Sequence, residues 1–270
     1  MFVLLKTATA QKRDTTVYFL NTSGYRQQDA RGADCVIKIS PPDTSINKNL
    51  YVVNAYYHNG KIRYRSAALS KELKPIDPNF PAYEKPELQG QFISFFENGH
   101  KMQVANYENG ELSGDETDYY PNGKIYCTKT HGNDKKTIYN ECVDSTGKAL
   151  VENGNGKWLT FVDENFKNYF TGDIINGVPE GDWFGKRSDT IHTFEKYKNG
   201  ELKCAGDIER SGRRVYSKVD VNPEFSGGLD GFYKYLGTTI RYPVSALNMN
   251  IQGTVVISFV VDENGVPGNF

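Results

Sequence analysis

An aromatic pair followed by a glycine turn recurs along this chain, and its spacing constrains the fold more than any other feature. Copies of the phrase occupy residues 56–61, 95–101 and 119–124, with a weaker copy that lacks the aromatic pair at 142–148 and a late copy with a single tyrosine at 197–201. Gly99, Gly123 and Gly147 follow one another at intervals of 24 residues. A fixed period of this size is typical of one supersecondary unit that is repeated and stacked.

Each period predicts two short antiparallel strands. Asn-Gly favours tight hairpin turns, and we expect a looser glycine turn between units. A lone hairpin cannot bury its aromatic face, so neighbouring units must pair or stack. The 18 Tyr, 15 Phe and 26 Gly suit pleated strands and turns. We therefore expect a mostly β fold with an antiparallel β-hairpin repeat array over residues 51–215. Residues 69–88 contain four prolines and are expected to form an inserted loop or cover.

The turn phrase, with glycine recurring before a Trp or aromatic strand, resembles the MORN-type repeats of bacterial antitoxin-like proteins. Residues 176–183 and 154–158 fit that motif best. The resemblance implies a MORN-like β-repeat domain and says little about function. Exposed tyrosines could form a protein-binding surface, or the aromatic residues could simply build a scaffold core. Both alternatives stay open.

Residues 223–265 carry a different pattern that does not repeat. A first short helix is predicted from apolar residues spaced i, i+3, i+4, i+7, namely Leu229, Phe232, Tyr233 and Leu236. A second short helix is predicted to begin at a proline, and an apolar strand over residues 254–261 precedes an Asn-Gly turn. The fixed points of the pattern are Pro223, Glu224, Phe225, Gly227, Gly228, Tyr242, Pro243, Gly253, Phe259 and Gly265.

In that order these motifs resemble the opening half of the TonB C-terminal domain, the periplasmic end of an energy transducer for outer-membrane transport. The resemblance implies a partial α+β domain at residues 216–270, in which the ten fixed points have structural roles. It also implies a non-enzymatic protein-interaction protein of the periplasm or cell envelope. Family members bind an outer-membrane receptor peptide by strand addition, in which a peptide pairs with a sheet edge.

A complete domain of that family continues with a return strand, a longer helix and a last strand. We therefore expect the chain to be a fragment or a truncated product. The alternative is a divergent domain that closes on the preceding repeats. The alternative function is a β-repeat scaffold or antitoxin-like binder in which the TonB-like segment is vestigial.

The N-terminal part gives weaker signals. Residues 1–10 end in Ala8-Thr9-Ala10, the small-x-small form of a signal-peptidase site, and are expected to be the remnant of a signal peptide. The alternative is an ordinary first strand. Residues 11–50 are expected to form an N-terminal strand region. No window approaches the roughly 20 apolar residues that a membrane-spanning helix requires.

Charge and side-chain chemistry exclude several function classes. The 32 basic and 33 acidic residues are interspersed and leave a net charge of -1, so no basic stripe predicts nucleic-acid binding. The four histidines are isolated, no catalytic motif is present, and the four cysteines lack metal-ligand spacing. We therefore expect no catalytic site, cofactor or metal, and we assign no oligomeric state.

Cys127 and Cys142 form a possible disulfide. A hairpin centred between Asp134 and Lys135 places them opposite each other, and a periplasmic protein could oxidise such a pair. A turn at Gly132-Asn133 would shift the register and separate them. Both registers stay open.

Overall fold

The structure is a computed structural model, and strands dominate it. It describes residues 15–22, 24–77, 80–161, 166–186, 188, 190–220, 222–254, 256–257, 259–261 and 266–268. The chain divides into two compact units, Met1–Gly181 and Asp182–Phe270. The expected signal remnant at residues 1–10 lies outside the described residues. The boundary expected between residues 215 and 216 stays a prediction.

The described residues of the first unit form fourteen strands and the start of a fifteenth. They are β1 (Thr16–Leu20), β2 (Arg26–Gln27), β3 (Cys35–Ser40), β4 (Tyr51–Tyr57), β5 (Ile62–Asp77), β6 (Phe80–Phe95), β7 (Lys101–Glu108), β8 (Glu111–Leu112), β9 (Gly114–Tyr119), β10 (Ile125–His131), β11 (Thr137–Val143), β12 (Ala149–Glu152), β13 (Asn155–Phe161), β14 (Tyr169–Ile175) and β15 (Val178–Lys186). From β3 to β7 and from β9 to β14, each strand pairs antiparallel with the next. Strand β1 pairs with β2 and β3, and β7 pairs with β8 and β9. The expected mostly β, antiparallel fold is confirmed.

One face of the first strands forms an apolar core. Alternate residues of a strand share a face, and the register therefore brings a continuous apolar set together. Its buried members are Leu20, Cys35, Ile37, Ile39, Val53, Ala55, Ala68 and Leu73, with Tyr18, Tyr51 and Tyr64 packed against them. Burying one such aliphatic side chain contributes roughly 1.5–3 kcal/mol, so this cluster anchors β1 and β3–β5.

Two kinds of Asn-Gly turn join the strands. Asn109, Asn153, Asn176 and Asn199 have φ near 50°, and each is followed by a glycine with positive φ, as in two-residue type I′ hairpins. At 57–61, 96–100 and 120–124 only the glycine has positive φ. There the asparagine side chain instead accepts the N–H two residues ahead, at 2.9–3.0 Å. Three of these four tight turns lie between the aromatic phrases, the reverse of our expectation, and the fourth, at Asn199, belongs to the late copy of the phrase at residues 197–201.

Turns of the aromatic phrase contact one another from unit to unit. The Lys61 ammonium donates to the Glu97 carbonyl oxygen at 2.6 Å, and the Asn98 amide donates to the Pro121 carbonyl oxygen at 2.7 Å. The buried Tyr120 also donates its hydroxyl to the Val143 carbonyl oxygen of the next unit at 2.8 Å. These bonds couple successive repeats.

The proline-rich stretch 69–88 was expected to form an inserted loop or cover, and this expectation is wrong for its described residues. It belongs to a long hairpin in which β5 and β6 are 16 residues each. The backbone pairs Leu73 with Pro86 and Pro75 with Glu84. Register shifts between Ala68 and Leu73 and again after Pro75 interrupt the ladder, which accommodates residues that cannot donate an N–H.

In the second unit, the described residues after β15 form three strands, two helices and a short ribbon. Its elements after β15 are β16 (His192–Lys198), β17 (Glu201–Ile208), β18 (Arg214–Lys218), α1 (Gly228–Thr239), α2 (Val244–Asn248), β19 (Val260–Val261) and β20 (Pro267–Gly268). Strands β16, β17 and β18 pair antiparallel in sequence order. In the described part of the chain, neither helix has the length and apolarity to cross a membrane.

Both helices expected from the sequence are present. Of the strand expected over residues 254–261, the described residues show only Val260–Val261 in a ladder, and its partner is Pro267–Gly268. A strand needs hydrogen-bonding partners along its length, and proline lacks an N–H. The turn expected at residues 262–265 lies outside the described residues.

Candidate functional site

Charged side chains are buried on the face of β9 and β10. Glu116 lies opposite Lys129, and Asp118 lies opposite Cys127. The side chain of Glu116 is 3% exposed and that of Lys129 is 19% exposed. The Lys129 ammonium lies 2.5 Å from a Glu116 oxygen and 2.9 Å from an Asp118 oxygen. One ammonium therefore joins two carboxylates.

Two further neighbours hydrogen-bond to the Glu116 carboxylate. The Gln103 amide of β7 donates to its Oε1 at 3.1 Å, and the His131 ring lies 2.6 Å from its Oε2. An ionised carboxylate only accepts hydrogen bonds, so His131 Nε2 carries a proton. In a neutral ring, Nδ1 then accepts from the Thr137 hydroxyl at 3.0 Å. Glu116, Lys129, Asp118, His131 and Gln103 are called the charged cluster below.

The pKa values of the two carboxyl groups in the charged cluster are shifted in opposite directions. Burial disfavours the ionised form of Glu116, but Lys129 and the hydrogen bonds from its neighbours outweigh this and lower its pKa to about 2. Burial and the nearby Glu116 charge raise the pKa of Asp118 against the attraction of Lys129. Two carboxyl groups that share one cation behave this way because the second negative charge must form beside the first.

The charged cluster reaches the surface at His131. This side chain borders an open cleft of about 340 Å³, which is also lined by Glu108, Glu111, Leu112 and Lys135. Both imidazole nitrogens are held by protein groups, so His131 links β9 to β11. Its position indicates a structural and electrostatic role. Among the described residues, no group of three or more His, Cys, Asp or Glu side chains has the arrangement of a metal site.

A second recess, called the groove below, lies over β4, β5 and β6. It has a volume of about 400 Å³. Its floor is formed by the half-buried Val52, Ala67 and Ile93, one from each strand, and Ile46 from the loop between β3 and β4 stands 83% exposed at its rim. Arg65 on β5 lies opposite Ile93 on β6 and contributes an exposed guanidinium.

The loop that carries Ile46 is ordered by its own polar groups. The Asp43 carboxylate accepts the backbone N–H of Ser45 at 2.9 Å and its hydroxyl at 2.6 Å. The backbone N–H groups of Ile46 and Asn47 donate to the Asp43 carbonyl oxygen at 3.0 and 2.8 Å. The exposed Ile46 side chain is therefore held above the groove by a hydrogen-bonded turn, which reduces the entropy lost when a ligand binds.

Cys127 and Cys142 are directly opposed on β10 and β11. The hairpin itself is centred on Asp134, not between Asp134 and Lys135 as expected, and a register shift between Thr128 and Lys129 brings the two cysteines opposite each other. Both are buried free thiols. Burial raises the pKa of Cys127 well above its ordinary value and that of Cys142 to about 11. The disulfide itself stays a prediction.

Three fixed points of the TonB-like pattern, Phe225, Gly227 and Gly228, lie at the start of α1 in the second unit. The Phe225 ring contacts Phe232 and Tyr235 of α1, with centroids 5.6 and 5.5 Å apart. Gly227 and Gly228 have φ of 84° and 66° and lead into that helix. The loop and α1 therefore pack on each other.

Other fixed points surround α2. Pro243 is its N-cap residue and not, as expected, its first helical residue. The Tyr242 hydroxyl donates to the Ile251 carbonyl oxygen at 2.6 Å. Gly253 and Phe259 are exposed and outside any strand, as Pro223 and Glu224 are. Gly265 lies outside the described residues.

Neither helix of this segment has a buried residue. Half of the apolar stripe is exposed, with Leu229 71% and Tyr233 65% accessible, while Phe232 and Leu236 are half-buried. Helical periodicity predicts where apolar residues align along a helix, but another element must be present to cover them.

The sequence motifs leave His131 isolated and do not predict the charged cluster. A signal existed in the sequence. Glu116 and Asp118 are two residues apart, as are Lys129 and His131. In paired strands, such spacing places each pair on one face, so that opposite charges can meet.

Comparison with known families supports the repeat interpretation for the centre of the first unit. The MORN repeat variant family matches residues 88–109 and 112–133, which run from within β6 into the turn after β10. Comparison with curated proteins found no match. These two consecutive stretches are MORN repeats, and they include the charged cluster.

Proposed function

We propose that this chain is a non-enzymatic, protein-binding β-repeat protein that recognises its partner through the groove. The observation that carries the proposal is the exposed Ile46 held over an aliphatic floor beside an exposed Arg65. The MORN repeats beside it support a protein-binding role, because a rigid repeat scaffold presents its loops in fixed positions.

The groove also indicates the chemistry of the partner. Val52, Ala67 and Ile93 offer an apolar floor, and Arg65 forms no hydrogen bond or ion pair within the part of the chain that the structure describes. A guanidinium binds a carboxylate through two parallel hydrogen bonds. We therefore propose a protein segment that places an aliphatic side chain on the floor and an Asp or Glu side chain against Arg65.

Site-specific photocrosslinking in the producing cell tests this proposal. A photoreactive amino acid at Gln91, in the groove wall, is expected to give one discrete adduct. The same amino acid at Lys157, an exposed position on β13, is the matched control and is expected to give none. The adduct partner, purified, should bind the native chain at least tenfold more tightly than Arg65→Glu. Equal adducts at both positions, or equal affinity of Arg65→Glu, would refute the groove as the binding site.

A second candidate function follows from the C-terminal segment. A left-handed Gly-Gly loop, α1, a proline-capped α2 and a later short strand occur in the order that the TonB-type resemblance implies. This order supports a role as part of a TonB-type energy transducer in the periplasm or cell envelope. The partner would then be an outer-membrane receptor peptide bound by strand addition.

The two candidates differ in where a receptor peptide would act. The full gene product is titrated with synthetic N-terminal peptides of outer-membrane receptors while backbone NMR signals are followed. The TonB-type role predicts shifts confined to the segment beyond residue 216, with none in the groove. Peptides that leave every signal unchanged would remove this second candidate and leave the groove proposal standing.

A further inference from the structure

The two buried thiols of the first unit have the geometry of a cross-strand disulfide. Cys127 and Cys142 are paired Cα partners on β10 and β11. Directly opposed residues in an antiparallel pair have Cα atoms about 4.5–5.5 Å apart, which lies within the range of about 4.4–6.8 Å found in disulfides. The two side chains also share one face of the sheet.

The other cysteines lack such a partner. Cys35 on β3 lies opposite Leu20 and Tyr57, and Cys204 on β17 lies opposite Lys196. The chain therefore contains one opposed pair and two cysteines that serve as internal controls.

The surroundings of the pair supply a proton acceptor. The Cys127 thiol donates to Asp118 Oδ2 at 3.3 Å, and the same oxygen accepts from the Lys129 ammonium at 2.9 Å. The Cys142 thiol donates to the Leu159 carbonyl oxygen at 3.8 Å. In the described part of the chain, Cys127 is therefore the thiol of the pair that is hydrogen-bonded to a carboxylate, which can take up its proton.

We propose that Cys127 and Cys142 are a redox pair that closes into a disulfide when the chain meets a low-molecular-weight disulfide oxidant, with Asp118 as the proton acceptor for Cys127. This inference is independent of the groove and of its partner.

The reaction runs through a mixed disulfide. The Cys127 proton passes to Asp118, and the Cys127 sulfur attacks one sulfur of the oxidant and expels the first thiolate. That thiolate takes the proton held by Asp118. The Cys142 sulfur then attacks the Cys127 sulfur, breaks the mixed disulfide and expels the second thiolate, which takes the Cys142 proton. The two cysteines lose two electrons and two protons, and the oxidant is reduced to two thiols.

Closure would change both stability and the charged cluster. The disulfide closes a loop of about 16 residues, and by the chain-entropy argument this raises the melting temperature by roughly 5–10 °C. It also removes the thiol hydrogen bond to Asp118, leaving Lys129 as a hydrogen-bond donor to that carboxylate. Oxidation therefore connects the redox environment to the charge balance behind the His131 cleft.

Access to the pair requires a reversible opening that precedes a slower chemical step. Cys127 and Cys142 are 1% and 0% exposed, and burial keeps both thiols protonated at neutral pH. Because the thiolate is the reactive species, oxidation of the folded chain is expected to be slow and to require local opening of the β10–β11 hairpin. A pair oxidised during folding would resist later reduction for the same reason.

The test uses the full chain with Cys35→Ser and Cys204→Ser, incubated with oxidised glutathione and then unfolded and alkylated. We expect the loss of two hydrogens in mass, a linked peptide pair containing Cys127 and Cys142, and a melting temperature that rises on oxidation and falls again with reductant. In the native chain, the same link should form without involving Cys35 or Cys204.

Asp118→Asn separates the two parts of the proposal. This variant should form the same link at least tenfold more slowly, and Asp115→Asn, on the same strand, should oxidise at the native rate. An unchanged rate in Asp118→Asn would overturn the role of Asp118. Full alkylation of both thiols after exposure to oxidant, or a mixed population of links, would overturn the redox pair itself.

Discussion

Replacing Lys129 with methionine tests the charged cluster most severely. Lys129→Met keeps a long, flexible side chain but removes the ammonium that lies between Glu116 and Asp118. Glu116 would then keep only neutral hydrogen-bond donors and His131 at a site where its side chain is 3% exposed. Removing one partner of a buried ion pair destabilises a protein by about 3–5 kcal/mol.

The lowered pKa of Glu116 gives a second value for the free energy by which its partners stabilise the folded chain. Its fall from 4.5 to about 2 corresponds to about 3 kcal/mol, since one pKa unit is worth about 1.4 kcal/mol. Lys129 supplies much of this, with the neighbouring hydrogen bonds contributing the rest. We therefore expect Lys129→Met to lower the free energy of unfolding by about 3 kcal/mol at pH 7.

The stability that Lys129→Met loses relative to the native chain should depend on pH in a defined direction. In the native chain, the folded pKa of Glu116 lies below the unfolded value, so its stabilisation is present above pH 4.5 and is lost as the pH falls towards 2. In Lys129→Met the buried carboxyl group binds a proton more readily in the folded state. The difference between the two proteins should therefore shrink as the pH falls below about 5.

Urea unfolding at pH 7 and pH 4 measures both effects. Lys135→Met is the control, because the Lys135–Glu111 ion pair is exposed on both sides and exposed pairs contribute at most about 1 kcal/mol. A Lys129→Met protein that is as stable as the native chain at pH 7, or whose deficit is the same at both pH values, would refute the reasoning.

Three further substitutions test packing, turn geometry and the coupling of repeats. Trp158 is fully buried and its ring meets Tyr139 edge-on at 4.7 Å, so Trp158→Ala should cost about 3–5 kcal/mol in urea unfolding; a cost below 1 kcal/mol would contradict this packing. A Cβ on Gly156 would lie 2.1 Å from the Leu150 carbonyl oxygen, whereas one on Gly147 would meet nothing within 4 Å. Gly156→Ala should therefore lower the melting temperature clearly more than Gly147→Ala, and equal shifts would contradict the close approach. Tyr120→Phe removes the hydroxyl bond to Val143 and should cost about 1 kcal/mol, with the m-value unchanged; an unaltered unfolding midpoint would show that this bond does not couple the repeats.

The repeat architecture could be predicted because its signals are local. The aromatic phrase and Asn-Gly dipeptides at a 24-residue period specify hairpins without reference to distant residues. The same local logic predicted α1, whose stripe at Leu229 and Phe232 has helical spacing. It did not distinguish the two turn classes, since both contain Asn-Gly and differ only in the backbone conformation of the asparagine.

The features that sequence reasoning missed depend on which strands become neighbours. Glu116 and Lys129 have the appearance of solvated charges until the β9–β10 register brings them together on a buried face. The prolines of residues 69–88 argue against a strand, yet register shifts allow Pro86 to lie in the long β5–β6 hairpin. The apolar residues after Gly253 favour a strand, but the described ladder is only two residues long on each side.

Amide hydrogen exchange with and without the crosslinked partner tests the proposed binding role most directly. The account predicts that bound partner slows exchange in the loop at residues 43–50 and in β4–β6 near Ala67 and Ile93, with little change elsewhere. Protection confined to residues 225–251, with exchange around the groove unaltered, would contradict it and favour the TonB-type role of the C-terminal segment.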